Sequence, residues 1–334
     1  MTQLLTPHVG APVQPTTMQA AVIAAPGKVE LRDTPLPMPR SVEVRVRLEG
    51  TGVCASNIPP WEGREWFRYP MEPGQLGHEA WGIVDAIGAG VIHFAPGDRV
   101  ALLSERAYAE YDVAPESKMI HLPDSLANQP FPAEPLGCAM NIFRRCAVKS
   151  GQMVAIVGIG FLGAILTTLC KQAGATVIAI SRRESSLATA RSMGADETIP
   201  MLDHCRIIEQ VRLLTAGHFC DVVIEAVGKQ WPLDLSADLT REGGRLVVAG
   251  YHQDGLRQVN MQLWNWRGFD IVSAHERDPT VYATGMKSAV DAVVSGALDP
   301  APLYTHIFPL DRLDEALDMT RARPEGFMKA LVTM

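Results

Sequence analysis

The chain has 334 residues, of which 47% are hydrophobic and 20% are charged, and its formal net charge is −7. This length exceeds what a single hydrophobic core usually holds, so we expect two domains. The composition is that of a globular protein and carries no signature of disorder. The negative charge argues against nucleic acids and anionic membranes as main partners, because both attract basic surfaces.

The cysteines and the N-terminal segment indicate a cytoplasmic protein. Six cysteines are scattered along the chain without a CxxC pair, which is typical of a reducing compartment. Residues 1–17 form a polar extension that lacks the basic leader and apolar run of a signal peptide. No stretch approaches the roughly 18 uninterrupted apolar residues of a membrane span.

The predicted elements change in character near residue 150. The first part favours strands, with runs such as "MQAAVIAA", "VEVRVRLEG", "EAWGIVDAIG" and "GDRVALL" separated by Gly and Pro. The second part alternates strands and helices, as in "QMVAIVG", "FLGAILTTLCKQAG", "ATVIAIS" and "SSLATARSMGA". This alternation predicts right-handed crossovers and a doubly wound parallel sheet. A helix "LDEALDMTRA" and a strand "FMKALVTM" are expected near the C-terminus.

A glycine-rich turn follows the first strand of the second part. Gly158, Gly160 and Gly163 form G-x-G-x-x-G directly before a predicted helix. The first Gly permits a tight turn, the second lets the backbone approach a pyrophosphate, and the third allows close packing of helix on strand. Together with the intervening Phe161 and Leu162, the turn predicts a dinucleotide site at the helix N-terminus. The alternative is a glycine-rich turn without a ligand.

The end of the next strand bears on which dinucleotide binds. An NAD site usually places an acidic residue there, whereas this chain has Ser181 followed by Arg182 and Arg183. A hydroxyl and a guanidinium can bind a 2′-phosphate, which a carboxylate would repel. We therefore favour NADP(H), and NAD(H) stays open because the two arginines could begin a solvated helix with Glu184 reaching the ribose.

Soft and acidic metal ligands occur in three stretches of the first part. Cys54 lies in "GVCASN", His78 and Glu79 lie in "GHEAWG", and Glu134 lies in "AEPLG". A thiolate, an imidazole and a carboxylate form a suitable catalytic zinc set that leaves one position for water or substrate. Each residue taken alone is more often a packing residue.

These motifs resemble the zinc-dependent medium-chain dehydrogenase/reductase family. "GVCASN", "GHEAWGIVDAIGAGV", "PGDRVAL", "AYAEY", "EPLGCAMNIFRR", "VGIGFLGAI" and "PLYTHIFPL" occur in the family's order, and the similarity is greatest to its sorbitol and polyol dehydrogenase branch. The resemblance implies an extension at 1–17, a GroES-like β-rich catalytic domain at 18–148 and 297–334, and a Rossmann domain at 149–296. The active site would lie in the cleft between the two domains.

The resemblance also implies roles for individual residues. Cys54 and His78 would bind one catalytic Zn²⁺ directly, with Glu79 and Glu134 bound directly or through water and exchanging during turnover. Ser56 matches the hydroxyl residue that accepts the substrate proton. The reaction would be the reversible oxidation of a secondary alcohol to a ketone, and a homodimer or homotetramer is expected.

The chain departs from the family pattern at three places. The four closely spaced cysteines of a structural zinc lobe are missing after "GDRV", so we expect no structural zinc. Pro59 stands where many relatives have a proton-shuttling histidine, which leaves the proton without its usual exit. Asn57 replaces an Asp that is common in polyol dehydrogenases.

The substrate is expected to be small, polar and hydroxylated, such as a polyol, a sugar or a cyclitol. His275, Glu276 and Arg277 form a charged cluster that would face either the substrate or a subunit interface. Trp61 and Glu62 are further pocket residues, although Trp61 could instead pack the loop. Two rival functions are a zinc-free enone or quinone reductase and a non-catalytic redox sensor that binds the nucleotide.

Overall fold

Two large sheets and a two-stranded sheet of β1 (Thr17–Ala25) and β2 (Lys28–Pro35) organise residues 16–334, which are the residues that the computed structural model describes. The predicted extension lies outside them except for Thr16 and Thr17, and the first strand already begins at Thr17. Within the described residues, no helix is both long enough and apolar enough to cross a membrane.

The first part of the chain is mainly β-structure, as its alternating apolar runs predict. Along β3, for example, Val44, Val46 and Leu48 are all buried. The elements of this part are β1 (Thr17–Ala25), β2 (Lys28–Pro35), β3 (Glu43–Gly52), α1 (Ile58–Glu62), β4 (Glu79–Ile87), β5 (Arg99–Leu103), β6 (Tyr111–Pro115), β7 (Met119–His121) and α2 (Ala133–Cys146).

The second part forms a six-stranded parallel sheet in the order β10-β9-β8-β11-β12-β13. Its elements are β8 (Met153–Val157), α3 (Phe161–Gln172), β9 (Thr176–Ser181), α4 (Glu184–Ser192), β10 (Glu197–Pro200), α5 (His204–Leu214), β11 (Cys220–Glu225), α6 (Gln230–Leu239), β12 (Thr240–Val248), α7 (Met261–Arg267), β13 (Asp270–Ser273) and α8 (Pro279–Val294). Counted from β8, the strand order is 3-2-1-4-5-6, which is that of the dinucleotide-binding doubly wound fold. The predicted parallel sheet is confirmed.

The C-terminal segment joins the sheet of the first part. It contains β14 (Tyr304–Pro309), α9 (Leu313–Ala322) and β15 (Lys329–Thr333). β15 pairs antiparallel with β3, and the sheet runs β14-β15-β3-β4-β5-β7, with β6 also paired to β3. The last strand therefore lies beside the segment that leads to Cys54, while the residue boundaries of the two domains stay a prediction.

Helices α2 and α8 pack against each other at close range. A Cβ atom added at Gly285 would lie 2.6 Å from the carbonyl oxygen of Gly137, and one added at Gly137 would lie 2.7 Å from the backbone nitrogen of Met286. Glycine at both positions thus permits the close approach. This packing brings the first turns of the two helices, which carry Glu134 and Tyr282, next to each other.

Candidate active site

Three potential metal ligands meet where β3 ends and β4 begins. The ligand atoms of Cys54, His78 and Glu79 all lie within 4.8 Å of one another. In the antiparallel register of β3 and β4, Gly52 lies opposite Glu79. The strand pairing therefore explains how Cys54, two residues after Gly52, reaches residues that are more than 20 positions away in the sequence. A thiolate, an imidazole and a carboxylate form a donor set that suits Zn²⁺.

The electrostatics of Cys54 and His78 also suit a metal. Burial acts to raise the pKa of the Cys54 thiol, but the hydrogen bond and charge of His78 outweigh it and hold that pKa below its usual range. Burial acts to lower the pKa of His78, but Cys54 and the neighbouring carboxylates raise it to about 10. The pair favours a thiolate beside an imidazolium, and a metal ion that binds here displaces the imidazolium proton.

The carbonyl group of Leu76 orients His78. The Nδ1 atom of His78 lies 2.7 Å from this carbonyl oxygen, which leaves Nε2 for Cys54 or a metal. The Nδ2 group of Asn57 donates to the same oxygen at 3.1 Å, and the Tyr108 hydroxyl donates to Asn57 Oδ1 at 2.7 Å. Leu76 has a φ of 80°, a strained conformation for a residue with a Cβ atom. Asn57 suits this place because an Asp carboxylate could not donate to the carbonyl group.

Glu79 forms a buried ion pair with Lys329. The Nζ atom of Lys329 donates to Oε1 of Glu79 at 2.6 Å and lies 2.5 Å from Oε2, where the geometry does not satisfy a hydrogen bond. Glu79 is fully buried, and a Cβ atom at Gly52 would overlap its carboxylate. Both carboxylate oxygens of Glu79 thus lie against Lys329, so a metal that binds Glu79 would share it with this ammonium group. Sequence reasoning missed Lys329, although a lone lysine in the apolar strand "FMKALVTM" is a signal of a buried ion pair.

Glu134 lies near this group without being part of it. Its carboxylate accepts a hydrogen bond from the Tyr282 hydroxyl, and it lines the same cavity as His78. Burial raises the pKa of Glu134, and the positive charge of His78 opposes that rise. The arrangement suits a carboxylate that reaches a metal through water, as the sequence analysis allows, and the direct or bridged role stays a prediction. Tyr282 was not predicted.

A cavity of about 200 Å³ opens beside His78 and Glu134. Of the predicted substrate residues, Arg277 contributes to its wall. The residues that line it are His78, Leu103, Ser104, Lys118, Glu134, Arg277, Pro279 and Tyr282. The cavity therefore joins the strand-rich part of the chain to the loop before α8. Lys118 and Ser104 were not singled out from the sequence.

The other predicted substrate residues have different surroundings. Trp61 is 1% exposed and its Nε1 group donates to Asp318 at 2.8 Å, which favours the packing alternative over a place in the pocket wall. Glu62 lies on the surface and pairs with Arg64 at 3.1 Å. His275 is exposed, and its carbonyl oxygen accepts from a neighbouring arginine.

Ser56 is half-buried beside the metal ligands. Its backbone N–H group points at the Cys54 sulfur at 3.5 Å, so Ser56 shares the turn that positions the thiol. Pro59 is buried in α1. Its ring occupies the place of the expected histidine, as the sequence implies.

The glycine-rich turn has the geometry of a phosphate-binding loop. Gly158 has a φ of 106°, and a Cβ atom at Gly163 would overlap the carbonyl oxygen of Gly158. A Cβ atom at Gly160 would meet no atom within 4 Å, so space is open beside the backbone there. Gly160 is the N-cap of α3 and no side chain caps it, which leaves the first N–H groups available to an anion. These features fit a dinucleotide pyrophosphate.

The side chains inside this turn face protein. The Phe161 ring stacks on that of Tyr304 with centroids 6.1 Å apart, and Lys329 Nζ lies 5.2 Å from the Phe161 centroid. Leu162 packs against the large hydrophobic core. Backbone groups rather than these side chains therefore face the open space of the turn.

The two predicted phosphate-binding arginines differ in their contacts. Arg183 Nη1 donates to the carbonyl oxygens of Phe327 at 2.6 Å and of Pro324 at 3.0 Å, so it ties the nucleotide-binding part to the C-terminal segment. Arg182 is exposed and makes no side-chain hydrogen bond within residues 16–334. Ser181 ends β9 and is buried. Of the two arginines, Arg182 is the one available to a ligand.

Further cations gather near the cleft although the chain is acidic. Burial lowers the pKa of Lys229, and repulsion from Arg257, Arg64 and Arg323 adds to this effect, whereas Glu62 opposes it. Asp254 forms ion pairs with Lys229 and Arg64. The pKa of Arg323 is lowered by burial, and Arg182 acts in the same direction. Asp254 and Glu62 offset part of this positive charge, and the remainder suits a ligand that carries phosphate charges.

Models of known protein families match both the strand-rich part and the nucleotide-binding part of the chain. Family models match at residues 40–124, described as an alcohol dehydrogenase GroES-like domain, and at 162–291, described as a zinc-binding dehydrogenase. The predicted GroES-like and Rossmann combination is thereby confirmed.

Whole-chain relatives support the same reading. The sorbitol dehydrogenase of Gallus gallus is 30% identical, covering 92% of this chain and 94% of the relative, and that of Rattus norvegicus is 29% identical, covering 90% and 92%. A solved zinc-binding dehydrogenase from Sinorhizobium meliloti, bound to NADP, is 25% identical, with a TM-score of 0.80 and coverage of 96% and 100%.

Proposed function

Because the chain belongs to the zinc-dependent medium-chain dehydrogenase/reductase family and is sorbitol dehydrogenase-like, we propose that it interconverts a secondary alcohol and its ketone. The substrate would be a polyol, a sugar or a cyclitol, and NADP(H) would be the favoured cofactor. The observation that carries this proposal is the convergence of Cys54, His78 and Glu79 within 4.8 Å, beside a cavity lined by His78.

The residues of the metal group would hold one catalytic zinc ion. Cys54 and His78 would be direct ligands, and Glu79 or Glu134 would complete the set directly or through water. When bound, zinc would supply Lewis acidity that lowers the pKa of the substrate hydroxyl, and the nicotinamide cofactor would supply the hydride chemistry. Lys329 would neutralise Glu79 and so limit the negative charge of the ligand group.

Ser56 would accept the substrate proton at its Oγ atom. The residue lies two positions after Cys54, and its backbone N–H group contacts the Cys54 sulfur, so its position is coupled to that of the thiolate. Pro59 has no proton to exchange. The proton would therefore have to leave Ser56 by a route other than residue 59, such as water or another polar group.

The preference for NADP(H) is supported by the end of β9. Ser181 stands where an acidic residue would bind the ribose of NAD, and the exposed Arg182 follows it. Arg183 would help indirectly, because it holds the C-terminal segment against α4. The NADP-bound relative shows that a similar chain can bind this cofactor.

The protein would act on a small substrate as a homodimer or homotetramer in the cytoplasm. Within the described residues, β13 is an edge strand that pairs only with β12. Large apolar side chains are exposed near it, including Trp266 at 85% and Met261 at 54%. An edge strand flanked by apolar surface suits pairing with a second copy.

All six cysteines are free, as in a reducing compartment.

A panel of sugar alcohols and cyclitols, each assayed with NADP and with NAD, tests the proposed function. We expect formation of the reduced cofactor with at least one compound, loss of this activity on chelation and recovery on addition of zinc. Full activity on enones or quinones in chelator-treated protein would instead establish the zinc-free reductase. Dinucleotide binding without turnover of any compound, in protein loaded with zinc, would contradict the enzymatic proposal.

A further inference from the structure

The cavity beside the metal group contains two cations at positions that the proposed chemistry does not use. Arg277 and Lys118 line the same space as His78 and Glu134. We propose that the substrate carries a terminal anionic group, a phosphate ester or a carboxylate, which Arg277 binds together with Lys118. This inference rests on the proposed function and narrows its substrate from hydroxylated compounds in general to anionic ones.

The acidic neighbours of Arg277 are already engaged elsewhere. Glu276 accepts hydrogen bonds from the backbone N–H groups of Arg277 at 2.8 Å and Asp278 at 3.1 Å, and it lies 3.6 Å from Arg144. Asp278 caps α8 by accepting from the backbone and hydroxyl groups of Thr280. Within residues 16–334, the guanidinium group of Arg277 makes no hydrogen bond or ion pair, so its donors are free to meet a ligand.

Lys118 has one partner, which a ligand can replace. Its Nζ atom lies 3.1 Å from a carboxylate oxygen of Glu105, whose side chain is 80% exposed. An ion pair that is so open to solvent is worth little, because water screens the attraction. A ligand anion that is bound in the cavity can therefore take the place of Glu105 at the ammonium group. Glu105 does not line this cavity.

The chemistry of the two cations favours an anion over a hydroxyl group. The planar guanidinium group offers paired donors that match the oxygens of a carboxylate or a phosphate, and such charge-assisted bonds are about twice as strong as neutral ones. A neutral polyol would gain no such charge-assisted bond from Arg277. At about 200 Å³, the cavity is smaller than typical drug-sized pockets, so the anionic compound is expected to be small.

Binding to the zinc-loaded protein without nicotinamide cofactor tests the inference. Calorimetry would compare three compounds of the same chain length, namely sorbitol, sorbitol 6-phosphate and gluconate. We expect at least one anionic compound to bind more tightly than sorbitol. Arg277→Ala should lower the affinity for that anionic compound by about 10- to 100-fold, as expected for lost charge-assisted bonds, and should leave the affinity for sorbitol nearly unchanged. Lys118→Met should act in the same direction.

Matched controls separate this effect from a change of total charge. Arg212→Ala removes an exposed arginine that pairs with Glu209 on its own helix, and it should leave all three affinities unchanged. Arg277→Lys should restore part of the anionic preference because it retains the charge without the paired donors. Tighter binding of sorbitol 6-phosphate would identify the anionic group of the substrate as a phosphate, and tighter binding of gluconate would identify it as a carboxylate.

Two results would overturn the inference. One is equal weakening of neutral and anionic compounds in Arg277→Ala. The other is a change of oligomeric state in that variant with the anionic preference intact, which would assign Arg277 to a subunit interface. Failure of the proposed function is distinguishable from failure of this inference. If the protein binds an anion through Arg277 but oxidises none of the alcohols, only the proposed function fails. If it oxidises neutral polyols and shows no preference for anions, only this inference fails.

Discussion

At the metal end of the cleft (Cys54, His78 and Glu79) the working groups are side chains, whereas at the nucleotide end (residues 158–163) they are backbone N–H groups of one continuous turn. The metal end has surrounding partners that hold each ligand, such as the Leu76 carbonyl group for His78 and Lys329 for Glu79. The nucleotide end depends on the absence of a side chain at Gly160, because this absence leaves open space beside the backbone.

This difference determines how each end responds to substitution. Removing a buried charged partner at the metal end leaves another charge uncompensated, which destabilises the fold as well as the site. Adding an atom at the open position of the nucleotide end meets no protein atom, so it should affect the ligand alone. Lys329 connects the two ends, because it pairs with Glu79 and lies over the ring of Phe161.

The largest effect is expected from Lys329→Met. The substitution leaves Glu79 buried without its counter-charge, and breaking such a pair typically destabilises a protein by about 3–5 kcal/mol. Chemical unfolding of chelator-treated protein would measure the loss without a contribution from metal binding. The double variant Glu79→Gln/Lys329→Met should recover part of the stability. Equal unfolding free energies for the wild type and Lys329→Met would show that the ion pair is not formed.

A smaller effect is expected from Arg182→Ala at the nucleotide end. If Arg182 binds the 2′-phosphate, its loss should weaken NADP(H) binding by about 10- to 100-fold and leave NAD(H) binding unchanged. Fluorescence titration with both cofactors would measure this ratio. Arg183→Ala is the matched control, since Arg183 holds the C-terminal segment and its loss should weaken both cofactors alike. A ratio that is unchanged in Arg182→Ala would refute the phosphate assignment.

The smallest effect is expected from Gly160→Ala. The added methyl group fills the space beside the N-terminus of α3. It should lower the affinity for either dinucleotide by roughly 2- to 10-fold, which corresponds to the loss of about one neutral hydrogen bond. The melting temperature of the free protein should not change, because no atom lies within 4 Å of the new Cβ atom. Gly163→Ala should instead lower the melting temperature. If both variants lose stability equally, the space at Gly160 is not open.

The shape of the glycine-rich turn could be predicted from the sequence because its signal is local. Three glycines within six residues, placed between a strand and a helix, carry most of the geometry. At the metal end, the sequence named the three candidate ligands that the fold brings together, but it did not show the residues that support them. Lys329 lies 250 residues from Glu79, and Tyr282 lies 148 residues from Glu134, so only the folded chain shows these contacts.

Trp61 also shows that the local sequence does not determine which distant residues a side chain contacts. An aromatic residue next to the Cys54 loop can face the cleft or the core, and the local sequence does not distinguish the two. Its indole N–H group donates to Asp318, an exposed residue of the C-terminal helix that lies 257 residues away in the sequence. Similarly, Arg182 and Arg183 are adjacent in sequence, but only Arg183 is held by the segment that β15 brings back.

Metal analysis of the purified protein tests the central claim most directly. The measurement is zinc per chain by mass spectrometry for the wild type, Cys54→Ser and Cys205→Ser, the last being an exposed cysteine outside the metal group. We predict about one zinc per chain in the wild type and Cys205→Ser, and loss of both zinc and alcohol oxidation in Cys54→Ser. Full alcohol oxidation by wild-type protein that contains no zinc would contradict the account.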